Sequence, residues 1–415
     1  MAAQGLLIGR LQARKTDGLL DRLVNAALFL TLLVSPLVFI EPSPYEAAFA
    51  LLALVALAAS FRLDRTVLPL VFLLLLWNIG GLASLTLALH DSDAIIFMAT
   101  SFFMASTAIL FACLLLEDTV QRIALIRRGY IAAAILCSVV GMAMYFKLIP
   151  AVDPEADRLR STFKDPNVFG PFLILPLLLL IDAIIRRGAS IRRLAGALIL
   201  LVALFLSYSR GAWGHFVMSA TIMVALMFMT AQSARFRLRI VAFAALAVVA
   251  VIGLIAALLS IDAIGAMFQE RASVVQYYDA GESGRFGRQA LAVATILDNP
   301  AGLGPHQFAA IFKLDPHNVY LNAFLAYGWI GGAAYIALVL STLALGFRCI
   351  LILTPWQPVL IASYATFLGV ALEGFVIDTD HWRHFFLLLG MVWGLSAASL
   401  RLKRTGVPVK MARTV

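Results

Sequence analysis

The sequence predicts an all-α, polytopic membrane protein with about 12 transmembrane helices and a partly helical large loop between spans nine and ten. Three observations carry that reading. Of 415 residues, 62% are hydrophobic and 13% charged, and mean hydropathy is +0.95, whereas a soluble chain is about half apolar and about a quarter charged. Apolar runs of ~20 residues, each long enough to cross a bilayer as a helix, recur from end to end. The basic residues alternate in density between successive connections.

So much apolar surface cannot be buried in one soluble core. A β-barrel would show alternating segments of ~10 residues, and none appear. Backbone in lipid must satisfy its own hydrogen bonds, so the runs read as helices. They fall near 23–40, 45–61, 67–89, 94–116, 129–146, 167–185, 194–208, 212–230, 238–259, 318–345, 357–377 and 384–400. Arg10, Arg14, Lys15 and Arg22 precede the first run as in a signal sequence. No small-residue cleavage site follows and a second span begins almost at once, so the first helix is expected to remain. Asn78, Gly80 and Gly81 in the third run suggest a tilt or bend there.

Of the 32 basic residues, twenty-two fall on one set of connections and ten on the other. The richer set is expected to be cytoplasmic, with both termini inside. The division expected is a tail over 1–22, helices over 23–259, a large periplasmic loop over 260–317, helices over 318–400 and a tail over 401–415. The loop reads as two amphipathic helices, Ala263–Tyr278 and Arg285–Asp298. Gly281 and Gly284 break between them, and Asn299–Pro300 ends the second. Phe286, Ala290, Leu291, Ala294 and Leu297 form the stripe expected to pack the second helix down. Cys113, Cys137 and Cys349 have no CxxC or His-rich context, so neither a disulfide framework nor a zinc site is suggested.

Four segments on the basic-poor side look unlike simple turns. They are Arg158-Leu-Arg-Ser-Thr-Phe-Lys-Asp-Pro-Asn167, Ser207-Tyr-Ser-Arg-Gly-Ala212, the loop with Gly284-Arg-Phe-Gly-Arg288 and Asp298-Asn-Pro-Ala-Gly-Leu-Gly304, and Asp315-Pro-His-Asn-Val-Tyr320. Arg210 lies between two apolar runs with almost no loop, where an arginine is costly and usually has a polar partner or ligand. An interfacial arginine snorkelling to headgroups would leave the same trace. For Arg285 and Arg288, spaced i,i+3 on one helix face, a solvated charged face is the default reading, and His317 could pack or cap a helix start. Together, several guanidinium forks suit phosphate oxygens and an imidazole can take a proton near neutral pH. That set suits a lipid-linked diphosphate donor and a hydroxyl acceptor.

These residues resemble the O-antigen ligase family of bacterial membrane glycosyltransferases, which also contains O-antigen and exopolysaccharide polymerases. The resemblance rests on Arg160 with Phe163-Lys-Asp-Pro-Asn167-Val-Phe-Gly170, on Ser207-Tyr-Ser-Arg-Gly211, and on Arg285 followed by Asn299-Pro-Ala-Gly-Leu-Gly304. It also rests on His317-Asn-Val-Tyr-Leu321 with Tyr327-Gly-Trp-Ile-Gly331. It covers Arg158 to Ile336; the first five spans match only in hydropathy. The resemblance implies that Arg210 and Arg285 hold the donor diphosphate and that His317 is the base. It implies substrate contacts from Arg160, Asn167, Tyr208, Ser209, Arg288, Asn318 and Tyr320. Members often carry tryptophan four residues after the loop arginine, where this chain has Gln289. Implied partners are an undecaprenyl-diphosphate-linked glycan, a lipid A-core or glycan acceptor and membrane lipids, with no nucleic acid. No metal, nucleotide-sugar or other cofactor is implied.

Further expectations are that Arg285 approaches Arg210 beneath the loop, and that Asp378-Thr-Asp-His-Trp-Arg383 belongs to acceptor recognition. The rival class is a secondary transporter or flippase, which would gather ionisable groups near midplane. Asp182, Glu373 and His215 instead lie near the ends of their runs.

Overall fold

The computed structural model describes residues 18–153, 156–272, 284–313 and 315–405, and among these it is all-α. Its helices are α1 Leu19–Leu33, α2 Pro44–Ala58, α3 Leu68–Leu85, α4 Ser92–Glu117, α5 Thr119–Tyr145, α6 Pro166–Phe172, α7 Ile174–Arg187 and α8 Ile191–Leu206. There follow α9 Arg210–Thr230, α10 Ala234–Leu259, α11 Asp262–Ala272, α12 Arg285–Asp298, α13 Gln307–Phe312, α14 Val319–Ile350, α15 Gln357–Glu373 and α16 Arg383–Arg404. Every apolar run read from the sequence falls on a helix. Among the described residues eight segments are long and apolar enough to cross a membrane, and the chain is a multi-pass membrane protein. The remaining runs form the shorter helices α1, α2, α8 and α15, of 15, 15, 16 and 17 residues.

Helix starts follow local chemistry. Ser43 and Glu46 close a capping box over Pro44 at the head of α2. Asp165 accepts from Asn167 N at 2.7 Å at the head of α6, and Ser209 accepts from Ala212 N at 3.3 Å at the head of α9. Asn318 Oδ1 accepts from Tyr320 N at 3.0 Å and Leu321 N at 3.2 Å at the head of α14. Each side chain satisfies amides that have no partner within the helix.

Burial sorts the helices. In α16, 83% of the apolar window is buried, against 6% in α10, so α16 lies at the centre and α10 at the lipid-facing edge. Central contacts are made by small residues that let backbones approach. A Cβ on Gly80 of α3 would stand 2.5 Å from Gly331 N of α14, and Cβ atoms on Gly390 and Gly394 of α16 would each stand 2.7 Å from a carbonyl of α4. The glycines of α3 thus serve contact, and α3 runs unbroken through them.

α14 is the helix that breaks. Gly328 has φ 66° and ψ −177°, a conformation that a side chain would make costly. The segment 299–304 wedges into the break: Trp329 N donates to Pro300 O at 2.9 Å and Leu303 N to Leu325 O at 2.8 Å. Trp329 Nε1 adds a bond to Ile296 O at 2.9 Å. The Asn299–Gly304 motif therefore does structural work, fastening the large loop into a transmembrane helix.

The first loop helix is described only to Ala272, and Tyr278 and Gly281 lie outside the described residues. The second begins at Arg285 and ends at Asp298 as the sequence suggests. Its packing face differs from the expected stripe. Leu291 and Leu297 are exposed at 37% and 65%, whereas Ala292 is fully buried against Phe308 and Leu325, with Ile296 beside them. Ala290 and Ala294 of that stripe are exposed too, and the side chain of Phe286 lies outside those described. The contact is set by Ala292, whose small side chain lets α12 lie close to α14.

Candidate functional site

The heads of α6 and α9 are pinned to each other, and those of α9 and α14 to the end of α15. Arg158 Nε donates to Ser207 O at 2.9 Å, and its Nη2 donates to Asn167 Oδ1 at 2.9 Å. One guanidinium thus ties the head of α6 to the segment before α9. The Tyr208 and Tyr145 hydroxyls meet at 3.3 Å.

The segments carrying Arg210 and His317 converge on the last turn of α15. Gly211 faces Glu373 so closely that a Cβ would lie 2.8 Å from its Oε1. Val319 N donates to Gly374 O at 2.8 Å, and the Tyr320 hydroxyl donates to Ala371 O. Arg210 and His317 are both half-buried. Gln289 of α12 closes the group, its Nε2 donating to Phe375 O at 3.2 Å and weakly to Pro316 O at 3.4 Å. The departure at Gln289 is thus what fastens α12 beside His317. Arg288 is half-buried on α12. The Arg285 backbone stands one turn before Gln289, but its side chain, and with it the expected approach to Arg210, lies outside those described.

Backbone strain marks both segments. Tyr208 has φ 47° and His317 φ 46°. Left-handed conformations are uncommon for residues other than glycine and cluster at functional sites. Pro316 disfavours the helical region for Asp315 before it, and the chain then turns at His317. Nothing in the residue types announces either turn.

Behind Arg210 lies a buried polar pair. His215 Nδ1 is 2.8 Å from Glu373 Oε2, and His215 Nε2 is 3.1 Å from Thr366 O. A carbonyl only accepts, so Nε2 carries hydrogen, and one further proton is shared between Nδ1 and the carboxyl. The pair holds α9 to α15 immediately beneath the site. In the sequence the two stand only as isolated ionisable groups. Asp182, the third, pairs with Arg186 Nε at 2.7 Å.

Next to Asn318 lies Asp378. Burial, then Asp380 and Asp315, pushes its carboxyl well above the usual carboxylate range, offset in part by the Asn318 N–H it accepts. Arg160 is engaged elsewhere, paired with Asp153 and donating to Lys164 O at 2.7 Å. With Arg158, Lys147 and Tyr145 it lines a cavity of about 550 Å³. His306 has its ring against Phe97, with centroids 4.8 Å apart. The side chains of Ser209 and Asn318 are spent on helix caps, and Asn167 on Arg158.

A family model described as O-antigen ligase matches residues 195–336. The chain carries an O-antigen ligase domain. The matched stretch runs from α8 into α14, so the ligase domain holds Arg210, Arg285, Arg288, His317, Asn318 and Tyr320, with Tyr208 and Ser209. Arg158, Asn167, Glu373 and Asp378 lie outside the domain and are brought to it by packing; Arg160 also lies outside it. Proteins of this family are ligases or polymerases that act on lipid-linked glycans. No curated protein matches the chain.

Proposed function

We propose that the protein is an O-antigen ligase-type glycosyltransferase. It moves a glycan from undecaprenyl diphosphate to a hydroxyl of lipid A-core on the periplasmic face of the bacterial inner membrane. The carrying observation is the convergence of Arg210 and His317, each at a helix head, on the end of α15. The positive ends of α9 and α14 favour an anion between them, and a guanidinium fork adds a directional contact for phosphate oxygens. Twelve spans with both termini cytoplasmic put this end of the bundle outside, and 260–317 forms the periplasmic loop.

In this reading Arg210 and Arg285 hold the diphosphate, and His317 takes the acceptor proton. The acceptor oxygen attacks C1 of the reducing-end sugar as the C1–O bond to the diphosphate breaks. The electron pair leaves with the diphosphate, and a single displacement inverts the anomeric centre. The arginines help to the extent that their contacts strengthen as that charge grows. Arg158, Arg160, Asn167 and Tyr208 border the donor's first sugars. Gln289 and Arg288 hold the loop over them, Ser209, Asn318 and Tyr320 set the two segments, and residues 378–383 meet the acceptor.

The test is reconstitution of the purified protein with undecaprenyl-diphosphate glycan and two acceptors, lipid A-core and a second lipid-linked repeat. Glycosylated lipid A-core is the expected product. Elongated lipid-linked glycan would make the protein a polymerase, and no transfer to either would remove the reading.

A further inference from the structure

A cavity of about 750 Å³ is walled by α1, α2, α4, α5, α6 and α16. Ile96 and Phe111 of α4 both line it. At a rise of ~1.5 Å per residue it runs about 22 Å along that helix, past the middle of a hydrocarbon core ~30 Å thick. Its depth is apolar, closed by Leu32, Phe111, Tyr130 and Phe172, all at most 3% exposed. Its mouth is open along α4, where Ile96 is 63% exposed.

The rim is polar and carries both signs. Lys164 pairs with Glu41, and Arg383 pairs with Glu46. With Asp165, two cations face three carboxylates. Two nitrogens are left over: Arg383 Nη1 and His384 Nε2, the latter a donor in the Nε2–H tautomer, are buried without a hydrogen-bond partner among the described residues, and His384 is 5% exposed. Buried donors of this kind are costly unless something accepts from them.

We propose that this cavity binds one bilayer phospholipid with a zwitterionic head, its acyl chain filling the shaft between α4 and α16. The phosphate accepts from Arg383, the ammonium meets the glutamates, and the ester carbonyl accepts from His384. A polyprenyl diphosphate fits less well: it has no ester carbonyl, and its head would meet an excess of carboxylates. The lipid joins α1, α2, α4, α5 and α6 to α16, all of them outside the ligase domain. Trp382 and Arg383 belong to the segment placed at the acceptor above, so the lipid adjoins the acceptor side, but its binding is read without the transfer reaction.

Trp382 lines the cavity and is 7% exposed, so lipid surrounding the protein does not reach it. The protein and its Trp382→Phe variant are reconstituted in phosphatidylethanolamine vesicles brominated on the acyl chains. The difference between their emissions reports Trp382 alone. That difference signal is expected to be quenched, and quenching is expected to be lost in Ala99→Phe, which fills the mouth. Phosphorus assay of the detergent-purified protein should show bound phospholipid that Ala99→Phe loses. A difference signal insensitive to bromine overturns the proposal. So does quenching by brominated polyprenyl phosphate in place of brominated phospholipid, which would make the occupant an isoprenoid. A failed transfer assay leaves both readouts unaffected.

Discussion

A cation at the first position of a helix opposes that helix's dipole, and Arg210 occupies this position in α9. If its use is to grip a diphosphate, Arg210→Lys, which keeps the charge and loses the planar fork, should lose most transfer while insertion is normal. Near-normal turnover would return Arg210 to headgroup anchoring. His317 needs a different substitution, because alanine tolerates its positive φ poorly. Asparagine visits that conformation readily, so His317→Asn should keep the fold and cost ~10²–10⁴-fold in transfer, the usual worth of a general base. His306→Ala should cost little, and a fully active His317→Asn would make the imidazole structural. Asp378 gives a pH prediction. Its carboxyl is raised in the folded state, so the folded protein binds the extra proton and loses stability as pH rises past the ordinary carboxylate range. Asp378→Asn should therefore raise the unfolding midpoint at pH ~8 and match the parent near pH ~3, below the reference carboxylate value. An equal effect at both pH values would show that the carboxyl is not the cause. The places of Arg210 and His317 at helix heads were legible, because charge between apolar runs is rare. The His215–Glu373 contact, across 158 residues, was not: the sequence shows that each needs a partner, and only packing says which. Nor does sequence separate Arg158, which joins two helix heads, from Arg160 two residues on.

The elements were read well where periodicity or capping governs them, and less well where backbone contact does. Every apolar run became a helix, and α12 starts and stops where its glycine and Asn-Pro signals stand. The break in α14 escaped notice because Gly328 sits inside an unbroken apolar run, and a helix accepts an occasional glycine. Only the wedge explains it: a Cβ on Gly328 would lie 2.8 Å from Ala301 O. Gly328→Ala should therefore destabilise the protein by ~1–3 kcal/mol or more, the cost of a side chain in such a conformation, measured as a fall in the unfolding midpoint. An unchanged midpoint would mean that the wedge can retreat at little cost. The face of α12 was misread for a related reason. Large apolar residues dominate a hydropathy pattern, while close packing here selects Ala292. Gln289→Ala should loosen α12 from Phe375 and raise the apparent donor KM more than it lowers kcat. An effect confined to kcat would argue against a loop-holding role.

For the whole molecule, the charge asymmetry predicts which end faces the cytoplasm, and the native cysteines make the test clean because Cys113, Cys137 and Cys349 are all buried. Val152→Cys, at a position 46% exposed, should react with a membrane-impermeant thiol reagent in intact cells. Ala189→Cys, exposed between α7 and α8, should react only after the membrane is broken; the reverse pattern would invert the topology. Composition and charge alternation made the membrane class and helix order legible. They are silent on neighbours, since any apolar helix can touch any other. The pairing of α3 with α14 shows what that silence conceals. Synthesis runs from the amino end, so the ribosome releases Gly80 long before Gly331. Through that interval lipid must cover the bare glycine face of α3. The wedge emerges immediately ahead of α14, so the kink has its filler at once, whereas the deeper contact waits for the last third of the chain. A nascent protein stalled before α14 would be a half-built bundle with an open seam, the kind of species that membrane quality control recognises and degrades.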